Sequence, residues 1–322
     1  MIWLYISLDA FAAILVTVIC GAIYGYRKGF YISKKGKEKK GSTLDIERLL
    51  LSNEKVQQMI LDFSGREFEP VTITSYDGTR LFGKYFHIKD GAPLQIQFHG
   101  YKGNAYRDFC GGNKLALMLE HNTLLIDQRA HGQSEGHTVS MGLRERLDCL
   151  CWANYAYERF GDNIPIFLAG VSMGGATVLM ASELQLPKTV CGIIADCPFS
   201  NGPDVVKGFI KRITGIPVKV AYPFAYLGAL IFGGFRLDRV SAKSAVQNTK
   251  IPIAIFHGTS DTIVPYEMGA ELYECCSSDD KFLFTFEGAE HGFSFMTDPD
   301  KYIKSTFDFV NLCLNKFENA NK

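Results

Sequence analysis

The fold is indicated by residues 164–180, whose sequence is IPIFLAGVSMGGATVLM. Residues 164–169 form an uncharged apolar run, which is typical of a strand buried on both faces of a parallel sheet. Apolar side chains resume after the glycines, so a helix is predicted over residues 176–184. The turn between them, Gly170-Val171-Ser172-Met173-Gly174, would hold the Ser172 hydroxyl clear of the sheet. Strand, sharp turn and helix together predict an α/β architecture.

Outward from this turn, short apolar strands alternate with longer helical patterns. Further strands are predicted at residues 71–75, 81–87, 94–98, 123–126, 190–195, 251–256 and 282–286. Further helices are predicted near residues 42–62, 107–120, 144–160, 266–275 and 299–317. Ser42 or Thr43 is the expected N-cap of the first of these helices. Apolar strands separated by helices indicate a mostly parallel sheet that is covered on both faces.

The alternation is interrupted between residues 199 and 245. Residues 220–235 carry no charge, but Pro223 and several glycines interrupt a run that is too short to span a membrane with confidence. We therefore expect an inserted helical lid, with ordinary core packing as the alternative. An apolar lid beside an active site would suit a substrate with a hydrocarbon part.

The first 26 residues contain one charged side chain, Asp9. A membrane span needs about 20 apolar residues. Aromatic residues of the kind found at membrane interfaces lie near both ends of this segment: Trp3, Tyr5, Tyr24 and Tyr26. A cleaved signal peptide is the alternative, but no Lys or Arg precedes the apolar run and no A-x-A-like site follows it. We expect a transmembrane anchor over residues 1–26.

The distribution of charge suggests an orientation for this anchor. The 34 Lys and Arg balance the 34 Asp and Glu, and a chain without a basic excess is not a typical nucleic-acid binder. Residues 27–40 nevertheless carry seven Lys and Arg against Glu38 alone. Basic residues beside a span tend to stay on the cytoplasmic side. Residues 27–41 are thus an expected basic linker, and residues 42–322 an expected cytoplasmic domain. The nine cysteines lack a zinc-binding spacing and fit a reducing compartment.

A serine hydroxyl becomes a good nucleophile only beside a base, which in turn needs an orienting acid. On a sheet of this kind the acid and then the histidine follow the serine along the chain. Asp261 lies on the loop after strand 251–256, and His291 lies on the loop after strand 282–286. Both loops are at the carboxyl edge of the sheet, where Ser172 also lies. Ser172, Asp261 and His291 are therefore the predicted catalytic residues.

Other residues compete for the same roles. Ser134 lies in a second G-x-S-x-G match, but no strand directly precedes it, so it is interpreted as a loop serine. Asp127 and Asp196 also follow strands and remain alternative acids, although Asp196 is more simply interpreted as a turn cap. Three histidines that also follow strands are interpreted as residues that shape loops by hydrogen bonding: His99, His131 and His257.

Acyl transfer develops an oxyanion, which requires N–H donors already in place. The backbone N–H of Met173, directly after the predicted nucleophile, is one expected donor. The second is expected from the loop at residues 99–103, where we choose the N–H of Tyr101. This loop lacks the G-x-x-x-x-G-K-[ST] pattern of a phosphate-binding loop.

The sequence resembles the α/β-hydrolases, and more narrowly the membrane-anchored bacterial branch of the serine aminopeptidase S33-like superfamily. The resemblance rests on FHGY (98–101), DQRAHGQS (127–134), GVSMGG (170–175), ADCPF (195–199), HGTSD (257–261) and HG (291–292). It implies a triad of Ser172, His291 and Asp261, a helical cap, and hydrolysis without a cofactor or metal. The superfamily includes esterases, lipases, thioesterases and peptidases, so the fold alone does not choose among them.

The sequence therefore favours a serine hydrolase that cleaves lipophilic carboxylic esters at the cell membrane. The partners expected are an ester substrate and the membrane, with no nucleic acid. A serine peptidase or thioesterase of the same fold is the alternative among enzymes. A catalytically silent, membrane-tethered binding module is the alternative of another class.

Overall fold

The structure is a computed structural model that describes residues 2–33 and 53–321, with side chains described from residue 9 onward. Eight strands form one sheet. The strands are β1 (Glu69–Thr74), β2 (Arg80–Phe86), β3 (Leu94–Phe98), β4 (Asn122–Asp127), β5 (Ile166–Val171), β6 (Val190–Asp196), β7 (Ile253–Gly258) and β8 (Lys281–Phe286).

Helices connect these strands and precede them. The helices before β5 are α1 (Ile2–Gly29), α2 (Glu54–Ser64), α3 (Ala105–Asp108), α4 (Cys110–Met118) and α5 (Glu145–Phe160). The later helices are α6 (Met173–Ala181), α7 (Gly202–Ile213), α8 (Val218–Ile231), α9 (Ala242–Val246), α10 (Tyr266–Cys275), α11 (Ser294–Thr297) and α12 (Pro299–Ala320).

The strand order in the sheet is β1-β2-β4-β3-β5-β6-β7-β8. The β1–β2 and β2–β4 pairs are antiparallel, and all later pairs are parallel. Hydrophobic clusters of buried side chains lie on both faces of the sheet. Because β3 and β5 to β8 are parallel, the loops after them meet at one edge. The predicted α/β-hydrolase fold is confirmed.

Several element boundaries differ from those predicted. Strands β5 and β7 begin two residues later than expected, because Pro165 and Pro252 have no N–H to donate to a neighbouring strand. The helix after β5 begins at Met173, directly after the serine. The helix predicted near residues 107–120 is two helices that meet at Phe109, whose ψ of 19° is not helical.

The N-terminal helix α1 extends three residues beyond the predicted anchor and includes Arg27 and Lys28. Its last 21 residues, Asp9–Gly29, are long and apolar enough to cross a membrane. Lys34–Lys40 of the predicted basic linker lie outside the described residues, as do the predicted N-caps Ser42 and Thr43. The described part of the predicted 42–62 helix is α2, which Asn53 caps by accepting hydrogen bonds from the N–H groups of Lys55 and Val56.

The interval between β6 and β7 is helical, as predicted. Helix α8 continues through Pro223, which lies in its second turn, where the loss of one N–H costs one hydrogen bond. Helix α9 packs against α6 in the main body of the protein. We therefore use the name cap for residues 202–235, which contain α7 and α8 and the segment after them.

A buried ion pair holds the loop after β4 in place. Arg129 contacts both carboxylate oxygens of Asp148, each at 2.6 Å, and it also contacts Asp77 at 2.9 Å. Burial raises the pKa of the Asp148 carboxyl to about 6, against the opposing effect of Arg129. The loop is connected onward to the site, because His131 accepts a hydrogen bond of 3.0 Å from the N–H of Lys102.

Replacing Arg129 with Met is expected to lower the free energy of unfolding by about 3–5 kcal/mol, since it leaves the buried carboxylate of Asp148 without its cation. Urea unfolding of the full chain in detergent measures this loss. The double variant Arg129→Met/Asp148→Asn is the matched control, and it is expected to recover part of the lost stability. Equal stabilities for the two variants would contradict the role given to the ion pair.

Candidate active site

Ser172 lies at the end of β5 in a backbone conformation that few residues adopt, with φ at 55° and ψ at −115°. Its N–H donates to the carbonyl oxygen of Asp196 at 2.8 Å. A Cβ at Gly174 would lie 1.8 Å from the carbonyl oxygen of Phe98, and one at Gly170 would lie 2.2 Å from that of Gly174. The turn can therefore form only with glycine at these two positions, and it projects the serine side chain from the sheet edge.

The three predicted catalytic residues lie together. The hydroxyl of Ser172 is 2.9 Å from Nε2 of His291, and Nδ1 of His291 is 2.7 Å from Oδ2 of Asp261. The other oxygen of Asp261 accepts hydrogen bonds of 2.9 and 2.8 Å from the N–H groups of Ile263 and Val264. The carboxylate thus holds the imidazole with Nδ1 protonated and Nε2 free to accept the serine proton.

The environment of Asp261 favours its ionised form. Burial alone would raise the pKa of this carboxyl, but the charge of His291 and hydrogen bonds from His257, His291 and Val264 hold the pKa well below its ordinary value. Asp261 is therefore ionised at neutral pH.

The alternative acids lie elsewhere. The interpretation of Asp196 as a turn cap is wrong. Its side chain accepts hydrogen bonds from Tyr302 at 2.9 Å and from Ser294 at 3.4 Å. Burial raises the pKa of this carboxyl to about 6. Asp127 pairs with Lys84 at 3.2 Å and accepts a hydrogen bond from the N–H of Gln133. Neither carboxylate is hydrogen-bonded to His291.

The other candidate side chains shape loops, as predicted. Ser134 is buried, donates to the carbonyl oxygen of Asp127 and accepts from the N–H of Phe82. His99 lies between the carbonyl oxygen of Gly100 at 2.8 Å and the N–H of Gln128 at 3.1 Å.

The two remaining histidines hold neighbouring loops in the same way. His131 accepts from the N–H of Lys102, as described above, and its other ring nitrogen is 2.9 Å from the carbonyl oxygen of Arg129. His257 donates to the carbonyl oxygen of Val264 at 2.9 Å. All three histidines therefore support the loops that carry the site.

Two backbone N–H groups are available near Ser172. The N–H of Met173 is at the first position of α6, where a helix has no internal acceptor for it. The N–H of Gly100 is occupied, because it donates to Asp108 at 2.8 Å. In the part of the chain that the structure describes, the N–H groups of Tyr101 and Met173 have no hydrogen-bond acceptor. These two donors are the ones predicted for the oxyanion.

The side chain of Tyr101 connects this loop to two distant segments. Its hydroxyl donates to the carbonyl oxygen of Gly29, the last residue of α1, at 2.8 Å. Its ring lies 5.8 Å from the ring of Phe209 in the cap. The loop that carries one predicted oxyanion donor is therefore held by both α1 and the cap.

A cavity of about 130 Å³ extends from Ser172 and His291 over the sheet, between α4 and α12. Most of its wall is apolar, with Phe109, Leu115, Phe295 and Met296 among the lining side chains. An apolar cavity of roughly 150 Å³ is large enough to hold a benzene molecule. This cavity can therefore accept a compact apolar group bound to a carbonyl at Ser172.

Sequence reasoning gave no role to Cys197, which directly follows β6. Its Sγ is 3.9 Å from Nε2 of His291, and its φ is 44°. Cys197, Asp261 and His291 place three possible ligand atoms within 4.8 Å of one another. However, Asp261 contacts Nδ1 and Cys197 faces Nε2, on opposite sides of the ring, so these residues do not suit a single ion at about 2.0–2.3 Å. The position of Cys197 at a strand end could have been noticed from the sequence.

The sequence matches the model of a known protein family. The model of the Hydrolase_4 family, described as serine aminopeptidase S33, matches residues 98–228 and 237–300, which contain Ser172, Asp261 and His291. The chain belongs to this family. The family match and the sheet topology agree on the α/β-hydrolase fold.

Individual relatives of this family member are distant. The chain is 27% identical over 197 residues to the uncharacterized protein YqkD of Bacillus subtilis (strain 168), covering 61% of this chain and 64% of YqkD. It is 24% identical over 254 residues to the monoglyceride lipase of Rattus norvegicus, covering 68% of this chain and 82% of the lipase. The chain thus spans a little under two thirds of YqkD.

A solved structure agrees with the fold. The Pyrococcus furiosus esterase Pf2001 superposes with a TM-score of 0.63 at 22% identity, covering 78% of this chain and 92% of that chain. At this level of identity the likeness concerns the fold.

Asp261→Asn is expected to lower kcat by about 10⁴, because an amide cannot hold the imidazole in the required tautomer. Asp196→Asn is expected to keep activity within a few fold, because Asp196 does not contact His291. Hydrolysis of a nitrophenyl ester by the two variants measures both effects. Loss of activity in Asp196→Asn alone would reverse the assignment of the acid.

The same Asp196→Asn variant has an expected effect on stability. In the wild type the folded-state pKa of about 6 exceeds the unfolded value of about 3.9, so stability falls as pH rises between these values. The variant is therefore expected to gain up to about 3 kcal/mol over the wild type above pH 6, and nothing below about pH 4. Urea unfolding at pH 4 and pH 8 measures the difference. A gain that is equal at both pH values would contradict the buried, protonatable state of Asp196.

Proposed function

We propose that the chain is a serine hydrolase that cleaves lipophilic carboxylic esters through an acyl-enzyme intermediate. The observation that supports this most directly is the chain of contacts from Ser172 through His291 to Asp261, at 2.9 and 2.7 Å. It lies at the opening of a largely apolar cavity, beside two unoccupied N–H donors.

In the acylation step, the hydroxyl oxygen of Ser172 attacks the ester carbonyl and its proton passes to Nε2 of His291. Asp261, which is negative, stabilises the imidazolium that forms. The carbonyl oxygen becomes an oxyanion that accepts hydrogen bonds from the N–H groups of Tyr101 and Met173. His291 then donates its proton to the leaving alcohol, and the ester bond breaks.

In the deacylation step, a water molecule takes the place of the alcohol. His291 removes a proton from this water molecule, and the water oxygen attacks the carbonyl carbon of the acyl group that is bound to Ser172. The same two N–H groups hold the second oxyanion. Collapse of the intermediate releases the carboxylic acid and returns the proton to Ser172.

Two observations favour esters over peptides. First, the rat relative named above is called a monoglyceride lipase, although the family description refers to an aminopeptidase. Second, an enzyme that recognises a free amino terminus needs an available carboxylate near the nucleophile. Of the described residues that line the cavity, the carboxylates are Asp108 and Asp196, and both are engaged. Asp108 pairs with Arg107 at 2.6 Å and binds the N–H of Gly100.

We further propose that α1 is a single-pass membrane anchor and that the globular domain lies on the cytoplasmic side. The length and apolar composition of Asp9–Gly29 support the anchor. The basic residues that begin at Arg27 support the orientation, because such residues tend to remain in the cytoplasm. A site beside a membrane would meet lipophilic substrates, which agrees with the apolar walls of the cavity.

The proposal predicts a dependence on acyl chain length. With the full chain in detergent, kcat/KM for nitrophenyl esters is expected to rise about fourfold for each added methylene while the cavity has room, since each buried methylene contributes about 0.8 kcal/mol. Initial rates of hydrolysis of the nitrophenyl acetate, butyrate, hexanoate and octanoate esters give kcat/KM for this series. An optimum at acetate would exclude the cavity as the acyl site.

The matched control is Ser172→Ala, which is expected to lose activity by about 10⁶ and to resist labelling by a fluorophosphonate probe. Labelling that persists in this variant would exclude Ser172 as the nucleophile. Faster turnover of an aminoacyl amide than of any ester would favour the peptidase alternative. A wild-type chain that cleaves no ester and resists the probe would favour a silent binding module.

A further inference from the structure

Helix α1 packs against α8 of the cap at backbone contact distance. A Cβ at Gly25 would lie 2.8 Å from the Cα of Ala225, and one at Gly228 would lie 2.4 Å from the carbonyl oxygen of Ala22. A Cβ at Gly21 would meet the ring of Phe224 at 2.5 Å. Small residues on both helices therefore allow close packing of the kind that occurs between helices in membranes.

The contacts also show how the two helices are aligned. Gly21 faces Phe224, whereas Tyr26 lies further along α1 and its ring is 6.1 Å from that of Phe232. Residue numbers thus increase together, and the helices run in the same direction. The end of α1 at Gly29 is held to the globular domain through Tyr101. The start of α8 therefore points the other way, toward the part of α1 that would enter the bilayer.

Helix α1 is long enough both to cross a bilayer and to pack on α8. At 1.5 Å per residue its 28 residues are about 42 Å long, whereas the hydrocarbon core of a bilayer is about 30 Å thick. The part of α1 that packs on α8, residues 21–29, accounts for about 13 Å of this length. The remaining part can span the hydrocarbon core, and this places the start of α8 near the bilayer surface.

The cap presents apolar side chains on its outer surface at this level. Ile213, Ile216 and Val220, in the α7–α8 turn and the start of α8, are 62%, 42% and 53% exposed. Leu230, Ile231 and Phe232, at the other end of α8, are exposed as well, but they lie level with Tyr26 and the end of α1, away from the bilayer surface. We name Ile213, Ile216 and Val220 the cap membrane face. A cluster of exposed apolar side chains is unfavourable in water and usually marks a surface that contacts a protein or a membrane.

Cationic side chains lie beside this apolar surface. Lys211, Arg212 and Lys219 are exposed and lie in or next to the α7–α8 turn. Arg212 also donates to the hydroxyl of Thr262 at 3.1 Å. Apolar side chains bordered by Lys and Arg are typical of segments that lie in the headgroup region and contact anionic lipids.

We propose that the cap membrane face is inserted into the lipid bilayer beside α1, so that the cap is a second membrane-contact element of the protein. This inference rests on the proposed anchoring by α1 and adds to it a surface and an orientation. The occupant is the boundary between lipid headgroups and acyl chains. The cap packs on α1 at backbone contact distance, so its membrane face lies next to the helix that is proposed to enter the bilayer. This location favours the bilayer over a separate protein as the occupant.

Insertion of the cap has a consequence for the substrate. Phe209 of α7 lines the cavity and its ring is 5.8 Å from that of Tyr101, so the cap connects its membrane face to the active site. An ester that is itself a membrane lipid would then reach Ser172 along the cap without crossing bulk water. The substrate class that fits is a lipid ester resident in the bilayer.

The test uses tryptophan fluorescence of the full chain in vesicles of equal parts phosphatidylcholine and phosphatidylglycerol. Trp3 is replaced by Phe, which leaves the buried Trp152 as a constant background, and one new tryptophan is introduced by Val220→Trp or by Ile216→Trp. Replacing the phosphatidylcholine with its dibrominated form is expected to remove most of the fluorescence of either new tryptophan. The matched control is Met118→Trp, an exposed position just before β4 at the opposite edge of the sheet, where no loss is expected.

The outcomes separate this inference from the proposed anchoring. Sedimentation with the vesicles after a carbonate wash reports the anchor independently of the cap. If the protein sediments with the vesicles but the Val220→Trp and Ile216→Trp variants behave like the Met118→Trp control, the cap faces water or another protein and the inference is wrong. Equal quenching at all three positions also overturns it, because the contact would then not belong to the cap. Far-UV circular dichroism and urea unfolding of each variant check that it is folded.

Discussion

The site depends on one steric constraint, the approach of α6 to the ends of β3 and β5. Ser172 holds a φ of 55° because glycine at positions 170 and 174 allows backbone atoms to meet where any side chain would clash. That turn places the Ser172 hydroxyl within reach of His291 and leaves the Met173 N–H without an acceptor. It also brings the loop after β3 against the serine, since a Cβ at Gly100 would lie 3.4 Å from the Cβ of Ser172. The positions of the proposed nucleophile, base and N–H donors thus depend on the same close packing.

A second dependence joins the site to the N-terminal helix. Tyr101 lines the same cavity as Ser172, its hydroxyl donates to the carbonyl oxygen of the last residue of α1, and its ring packs near the cap. The chain after α1 is held to the body as well. Phe30 is buried against Phe235, and residues 30 and 32 exchange backbone hydrogen bonds with residues 137 and 139. The N-terminal helix, which the sequence alone suggests is separate from the globular domain, is therefore packed against the structure around the candidate active site. Its position and that of the cap are mechanically linked.

Much of the fold could be predicted because its signals are local. Each buried parallel strand is an apolar run, and each was expected within about two residues of its position. The errors have local causes too, such as Pro165 and Pro252 at the strand starts. The role of Asp196 was not predictable, because Tyr302 and Ser294 are about a hundred residues away and approach it only in the folded chain. Cys197 beside His291 is a similar case.

Local sequence patterns suffice to predict the α/β architecture, the strained serine turn and the order of serine, acid and histidine. These features depend on short-range patterns and on the rule that parallel strands end at one edge. The sequence also indicated an apolar N-terminal helix. Three features become visible only in the folded chain: which of the three candidate carboxylates contacts His291, which N–H groups lack an acceptor, and the packing of α1 against the cap. These are contacts between segments far apart in the chain. They arise from packing, in which glycine positions on two separate helices must coincide, and no local pattern in either helix specifies the other as its partner.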